Sequence, residues 1–242
     1  AKKDGCIQFE GTYRLSLKQK QKILVNNIYG VDLDQQAVEV TQLSLYLKLL
    51  EDETTATAND SWVMFKEKLL PDLNKNIVCG NSLIGTDILS TQTSLQFKNP
   101  TSLPFLKGGT EGGFEELRLK PMDFETVFPD VMNPSTSSGG GFDAIVGNPP
   151  YVRQELISGL KKYFEKNYKV YHGIADLYAY FIERAITLLK QGGYFSYIVA
   201  NKWMRANYGE PLRKWLKQQN LIEIIDFGDL PVFKGATTYP CI

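Results

Sequence analysis

The stretch Gly141-Phe142-Asp143-Ala144-Ile145-Val146-Gly147-Asn148-Pro149-Pro150-Tyr151 limits the folds open to this chain more than any other. Phe142, Ala144, Ile145 and Val146 make a short apolar run, the form of a parallel strand covered on both faces. Two consecutive prolines follow. Neither can donate to a ladder, and each restricts the residue before it, so the chain must leave the sheet along a fixed, extended path. In open α/β sheets, ligands bind just outside the carboxyl ends of the strands. The sequence therefore puts an amide, a rigid carbonyl and an aromatic ring where chemistry commonly sits.

The rest of the chain supplies strands and helices in alternation. Residues 1–22 are polar and basic and read as a loop followed by a helix. Asn26 to Asp34 reads as a turn and a buried strand ending in two acids. From Gln35 to Leu50, Val40, Leu43, Leu47 and Leu50 recur at helical spacing with Ala37, Leu45 and Leu49 beside them, a helix with a wide apolar face. Asp34 suits its N-cap. Ile77 to Leu83 is the next strand with its exit loop. Residues 86–141 are broken by prolines and glycines and read as an irregular surface insertion; 135–141 have the composition of a tether. Asp176 caps a helix through Lys190, stopped at Gly192-Gly193. Tyr194 to Val199 is a strand, Trp203 to Gln219 contains a helix, Leu221 to Phe227 is a strand, and Thr237 to Ile242 begins another. Such alternation predicts an α/β fold, a doubly wound and mostly parallel sheet, over residues 1–242.

Composition sets the outer bounds. Lys+Arg and Asp+Glu are 27 each, so any nucleic-acid contact must be local. Residues 151–220 hold 12 Lys+Arg against 5 Asp+Glu. Lys161, Lys162, Lys166, Lys169, Lys202 and Arg205 lie there; they suit phosphates or simply form a solvated basic face. The cysteines, Cys6, Cys79 and Cys241, fit no metal or disulfide spacing, and His172, the only histidine, has no metal-ligand partners in sequence. No bound metal is expected. No run is long and apolar enough to span a membrane, and the expected compartment is the cytoplasm. The chain begins on Ala1, which suggests a piece of a longer protein.

The strand ends carry the chemistry. An exocyclic amino group on a planar heterocycle is a poor nucleophile, because its lone pair is delocalised into the ring. The side-chain oxygen of Asn148 and the carbonyl of Pro149 are both acceptors. Together they can hold both amino hydrogens and localise the lone pair. Tyr151 can stack on the ring, and an adenine turned out of a duplex is a natural occupant. Asn-Pro-Pro-Tyr also serves as a plain rigid loop exit. Asp32 ends the second strand, where an acid commonly accepts hydrogen bonds from ribose hydroxyls; Asp32 or Asp34 equally serves as a helix cap. Asn81 follows the third strand and can read an adenine edge or simply form a turn.

These motifs resemble one family. Asn27-Ile28-Tyr29-Gly30-Val31-Asp32-Leu33-Asp34 with Ala37-Val38-Glu39-Val40, Gly80-Asn81-Ser82-Leu83-Ile84-Gly85, Phe142-Asp143 with Asn148-Pro149-Pro150-Tyr151, and Asp176-Leu177-Tyr178 are similar to those of the adenine-specific DNA methyltransferases. The nearest branch is that of the fused restriction-modification enzymes, type IIG. The resemblance implies methyl transfer from S-adenosylmethionine to the exocyclic nitrogen of a flipped adenine in DNA, within a restriction-modification system. It implies that Asp32 binds the ribose of the cofactor, with Leu33 against its adenine and Asn81 on that ring's amino group. Asn148 and Pro149 hold the target amino group and Tyr151 stacks on the base. Phe233, in Val232-Phe233-Lys234-Gly235, then covers the opposite face, or is a core residue. A methyltransferase acting on protein glutamine or RNA bases, and a non-catalytic DNA-binding segment, are the alternatives. The family's glycine-rich loop, of the form Asp-Pro-Ala-Cys-Gly-Ser-Gly, has no counterpart in these 242 residues. The 242 residues by themselves are therefore expected to lack the first strand, activity and tight cofactor binding.

Overall fold

The structure, a computed structural model, describes residues 6–9, 12–51, 53, 70–91, 119–133, 139–150, 159–230, 232 and 240–241. Tyr151 and Phe233 lie outside these residues. The chain divides into two units, residues 1–81 and 82–242.

In the first unit, strands β1 (Cys6–Phe9) and β2 (Thr12–Leu15) form an antiparallel hairpin with Cys6 opposite Leu15. A loop was the expectation for this segment. Helix α1 (Leu17–Asn27) starts at Ser16, whose side chain accepts the Gln19 N–H at 3.3 Å. Strand β3 (Gly30–Asp32) leads into helix α2 (Gln35–Leu50), where Asp34 Oδ1 accepts the Gln36 N–H at 2.9 Å. Asp34 is thus the N-cap expected. Strand β4 (Ile77–Cys79) lies parallel to β3, with Gly30 opposite Ile77 and Asp32 opposite Cys79. Leu17, Leu24, Leu49 and Leu73 make the small core, and Leu73 is fully buried.

Helix α2 buries only part of the wide face expected, the side of Leu45 and Leu49. Val38 and Leu49 are buried, with Leu45 packed beside Leu49 in the same stripe. Val40, Leu43 and Leu47 are exposed. The helix is apolar nearly all round, so spacing alone cannot select the face that packs.

One polar side chain ties the first unit together. Asn76 is 4% exposed. Its Nδ2 donates to the Val25 carbonyl at 2.7 Å and the Ile28 carbonyl at 2.9 Å, while its own carbonyl accepts the Gly30 N–H at 2.8 Å. The end of α1 and the start of β3 are both held from this point.

The second unit is built on another parallel pair. Its elements are α3 (Asp87–Thr91), α4 (Phe124–Val127), α5 (Pro129–Met132), β5 (Phe142–Gly147), α6 (Lys161–Asn167), α7 (Leu177–Thr187), β6 (Leu189–Tyr197), β7 (Val199–Ala200), α8 (Glu210–Leu216) and β8 (Pro240–Cys241). Strand β5 pairs parallel with β6, Phe142 opposite Leu189 and Gly147 opposite Tyr197. Strands β7 and β8 pair antiparallel. The core gathers aromatics from α6, α7 and the loop between them. Phe164 stacks on Tyr180 with centroids 4.4 Å apart, and Tyr168 meets both rings edge-on. Trp203, Trp215 and Tyr178 are buried.

Several expectations change here. Helix α7 ends at Thr187, and β6 begins at Leu189 rather than Tyr194. Asp143 alone of β5 stands against Lys190–Gly193 of β6, a bulge made possible by Gly192 at φ +80°. Strand β5 is not covered on both faces: Asp143, Ala144, Val146 and Gly147 are exposed, Val146 by 80%. Leu221 to Phe227 forms no strand. Among the described residues Asp226 makes an isolated antiparallel bridge to Cys241, and Leu221, Ile222, Ile224 and Ile225 are exposed. The helix expected within Trp203–Gln219 spans Glu210–Leu216, preceded by 3-10 turns at Asn201–Met204 and Asn207–Gly209. Within the stretch 86–141, Leu119, Met122, Phe124 and Phe128 are buried, and Phe124 and Phe128 pack edge-on against Phe142 at the start of β5.

The Asn76 network yields the first prediction. Asn76→Ala removes the donor to two part-buried carbonyls, those of Val25 and Ile28, a cost of about 1–3 kcal/mol. The expected result is a lower urea midpoint and faster amide exchange across Gly30–Asp32. An unchanged midpoint and unchanged exchange contradict the assignment.

Candidate active site

The parallel registers decide which residues leave the strands together. In the first unit Asp32 closes β3 opposite Cys79, and Asn81 follows two residues after Cys79. Both therefore stand at the carboxyl end of the β3–β4 pair. The Gly80 N–H donates to the Asp32 carbonyl at 2.9 Å and keeps the two exits side by side. The Asp32 carboxylate is exposed, and its Oδ1 accepts the Asp34 N–H at 2.7 Å. The acid thus folds its own turn and still faces solvent. Cys79 Sγ donates to the Leu33 carbonyl at 3.4 Å, which holds Leu33 against the neighbouring strand end. Asn81 is half-buried.

In the second unit Asn148 and Pro149 leave β5 directly after Gly147. Asn148 is exposed, Pro149 is buried and Pro150 is exposed. The buried proline anchors the exit while the amide ahead of it meets solvent. The Ile198 N–H donates to the Gly147 carbonyl at 3.2 Å, so β5 is paired up to the residue before Asn148. Gly147 is required for a local reason. A Cβ there would sit 2.8 Å from the Tyr197 ring. That ring packs against Phe195 with centroids 4.6 Å apart, and burial pushes its hydroxyl up to about 12. An apolar, un-ionised phenol therefore lies beside the residue that precedes Asn148.

The two sets of residues thus fall in different units. Asp32, Leu33 and Asn81 share the carboxyl end of one parallel pair. Asn148 and Pro149 occupy the corresponding end of the other.

The neighbouring exit belongs to β7. After Ala200 the chain turns through Asn201-Lys202-Trp203-Met204. Asn201 Nδ2 donates to Asp226 Oδ1 at 2.9 Å, and the Gly228 N–H donates to the same oxygen at 3.1 Å. The Asn201 amide first, and then Gly228, hold the Asp226 carboxyl below the usual aspartate range. Gly228 adopts φ +54°, a turn that leads toward Val232. Arg213 supports the same edge from α8: its Nη1 donates to the carbonyls of Trp203 and Ala206. A Cβ on Gly209 would lie 2.0 Å from the Trp203 carbonyl oxygen, so only glycine passes there.

Sequence reasoning missed these supports. It also missed Glu183, 5% exposed, whose two carboxylate oxygens accept the Lys169 and Val170 N–H groups at 3.1 and 2.9 Å. A glutamate on the apolar side of α7 was the available signal. His172 turns out to be part of a turn: its Nδ1 accepts the Ile174 N–H at 3.3 Å. Among the described residues no group of three or more His, Cys, Asp or Glu is placed to hold a metal ion.

The Asp226 contacts give a pH prediction. A carboxyl lowered in the folded state stabilises above its unfolded value, and that gain is lost as pH falls through the folded value. Asp226→Ala is expected to lower the melting temperature at neutral pH. The difference from the unaltered protein should shrink as pH drops below about 4, the ordinary aspartate range. A difference that stays constant from pH 7 to pH 3 contradicts the ionised contact.

The model of the Eco57I restriction-modification methylase family matches residues 26–233. The type II restriction enzyme and methyltransferase RM.Eco57I of Escherichia coli is 34% identical over 238 residues, covering 96% of this chain and 20% of that protein. The type II methyltransferase M.PaeR7I of Pseudomonas aeruginosa is 41% identical over 106 residues, 43% of this chain and 18% of that protein. The type II methyltransferase M.BanIII of Aneurinibacillus aneurinilyticus is 26% identical over 236 residues, 82% of this chain and 39% of its own length. The chain thus corresponds to about a fifth of the length of RM.Eco57I.

Proposed function

The chain belongs to the Eco57I restriction-modification methylase family, and we propose that it is part of a methyltransferase that modifies the exocyclic amino group of adenine in DNA, within a restriction-modification system. The observation that supports this reading most is the exit of β5. An exposed Asn148 amide, anchored by a buried Pro149, follows a strand paired to its last residue.

The proposed methyl donor is S-adenosylmethionine. The residues at the end of β3 and β4 fit it: an exposed carboxylate at Asp32 suits a ribose diol, and the Asn81 amide suits an adenine edge. When bound, the donor supplies a methyl group on a sulfonium. Asn148 Oδ1 and the Pro149 carbonyl each accept one hydrogen of the target amino group, so the nitrogen lone pair leaves conjugation with the ring. Tyr151 stacks on the base and Phe233 covers its other face. No covalent intermediate with the protein is required. Orientation and fixed acceptors supply the effect.

The proposal carries a fold and a partner. The β3–β4 and β5–β6 pairs belong to a doubly wound, mostly parallel sheet, and residues 1–242 form part of one catalytic domain. The partner is double-stranded DNA with the target adenine turned out of the stack. Lys161, Lys162, Lys166, Lys169, Lys202 and Arg205 neutralise phosphates near it. We place the enzyme in the cytoplasm; no helix among the described residues is long and apolar enough to cross a membrane.

The tests use the whole protein, since these 242 residues hold no glycine-rich loop of the Asp-Pro-Ala-Cys-Gly-Ser-Gly form. Asn148→Ala should lower methylation of DNA by about 100-fold or more with an unchanged melting temperature. Near-normal transfer sinks the mechanism. Tyr151→Ala should weaken the hold on a flipped base by about 1–3 kcal/mol, and Tyr151→Phe should be mild. Fluorescence of 2-aminopurine at the target position reads this directly. Equal damage from both substitutions assigns the role to the hydroxyl instead of the ring.

A further inference from the structure

The loop that follows β4 is held by side chains far away in the sequence. Arg184 Nε, on α7, donates to the Ser82 carbonyl at 3.0 Å. Tyr168 Oη donates to the Leu83 carbonyl at 2.7 Å. Tyr163 Oη, on α6, accepts the Gly85 N–H at 2.8 Å and donates to Asp87 Oδ1 at 3.0 Å. Leu83, Ile84 and Ile88 meanwhile sit in the aromatic core with Tyr163, Phe164 and Tyr168. Four successive polar attachments within six residues leave the loop little freedom.

Each attachment has a physical reason to be fixed. Tyr168 is buried, so its hydroxyl requires a partner, and the Leu83 carbonyl is that partner. Burial first, then the nearby Asp87 charge, keeps the Tyr163 hydroxyl protonated, up to about 12, so it remains a donor to Asp87 throughout the working pH range. The backbone at Gly85 passes so close that a Cβ would lie 2.7 Å from Asp87 Oδ1 and 3.4 Å from Tyr163 Oη. Arg184 is itself fixed, with its guanidinium carbon 5.1 Å from the centre of the Phe124 ring.

The clamped stretch begins one residue after Asn81. We propose that Tyr163, Tyr168 and Arg184 are positioning residues for the cofactor-contacting Asn81, acting through the main chain of residues 82–85. This rests on the reading of Asn81 as a contact to S-adenosylmethionine. A free loop must be ordered each time the donor binds, whereas a clamped one has lost that freedom already.

The experiment is steady-state methylation by the whole protein, with S-adenosylmethionine and target DNA varied in turn. Tyr163→Phe keeps the ring and removes only the hydroxyl. It is expected to raise KM for S-adenosylmethionine between about two- and tenfold, the range for one lost hydrogen bond, with KM for DNA unchanged. Exchange of the Gly85 amide should quicken. Asp87→Ala should follow Tyr163→Phe, and Asp87→Asn, which keeps an acceptor in place, should stay near the unaltered protein. Unchanged KM for the donor overturns the proposal. Equal rises in both KM values, or a fall in melting temperature with no KM split, assign the hydroxyl to the fold alone and overturn it as well. Asn81→Ala is the control for the underlying reading. If it leaves KM for the donor unchanged, Asn81 is not a cofactor contact and the positioning role falls with it, while Gly85 exchange still reports whether the hydroxyl holds the loop.

Discussion

Parallel pairing is the constraint on which the rest depends. Asp32 opposite Cys79 and Gly147 opposite Tyr197 fix where the chain leaves each strand pair. Parallel strands place equivalent ends on one side, so the polar residues after β3 and β4 emerge together, and Asn148 leaves β5 at the end where Ile198 leaves β6. Loops at these ends can carry chemistry because the ladders beneath them are rigid. The exposed Asp32 carboxylate and Asn148 amide are consequences of register.

The supports follow the same logic. Backbone groups just beyond the strands have no ladder partner and must be satisfied otherwise. Asn76 does this before β3 and β4, and Glu183 does it after α6. Tyr163, Tyr168 and Arg184 do it beyond Asn81. Arg213 does it at the turn after β7. In each case a polar side chain reaches from a helix or turn to main-chain groups elsewhere in the chain. Rigid exits and satisfied backbone groups are the same feature seen from geometry and from energy.

Local chemistry was legible in the sequence, and distant pairing was not. Asp34 as a helix cap and Asn148-Pro149-Pro150 as a strand exit could be read from a few adjacent residues. The packed face of α2 could not, since Leu, Val and Ala surround the helix. The early end of α7 was hidden because Leu188-Leu189 continues a helical pattern until the bulge at Lys190–Gly193 interrupts it. Leu221 to Ile225 has strand composition and no strand partner among the described residues, a matter of tertiary context. The loop clamp joins residues 78, 85 and 102 positions apart, beyond any local pattern.

The central claim is chemical: the two acceptors after β5 select an exocyclic amino group on adenine. The most direct test is the identity of the methylated product. DNA exposed to the whole protein and isotopically labelled S-adenosylmethionine is digested to nucleosides and separated by mass. The account predicts label in N6-methyladenine and in no other nucleoside. Label in a cytosine product, in RNA or on protein glutamine, with adenine unlabelled, contradicts it.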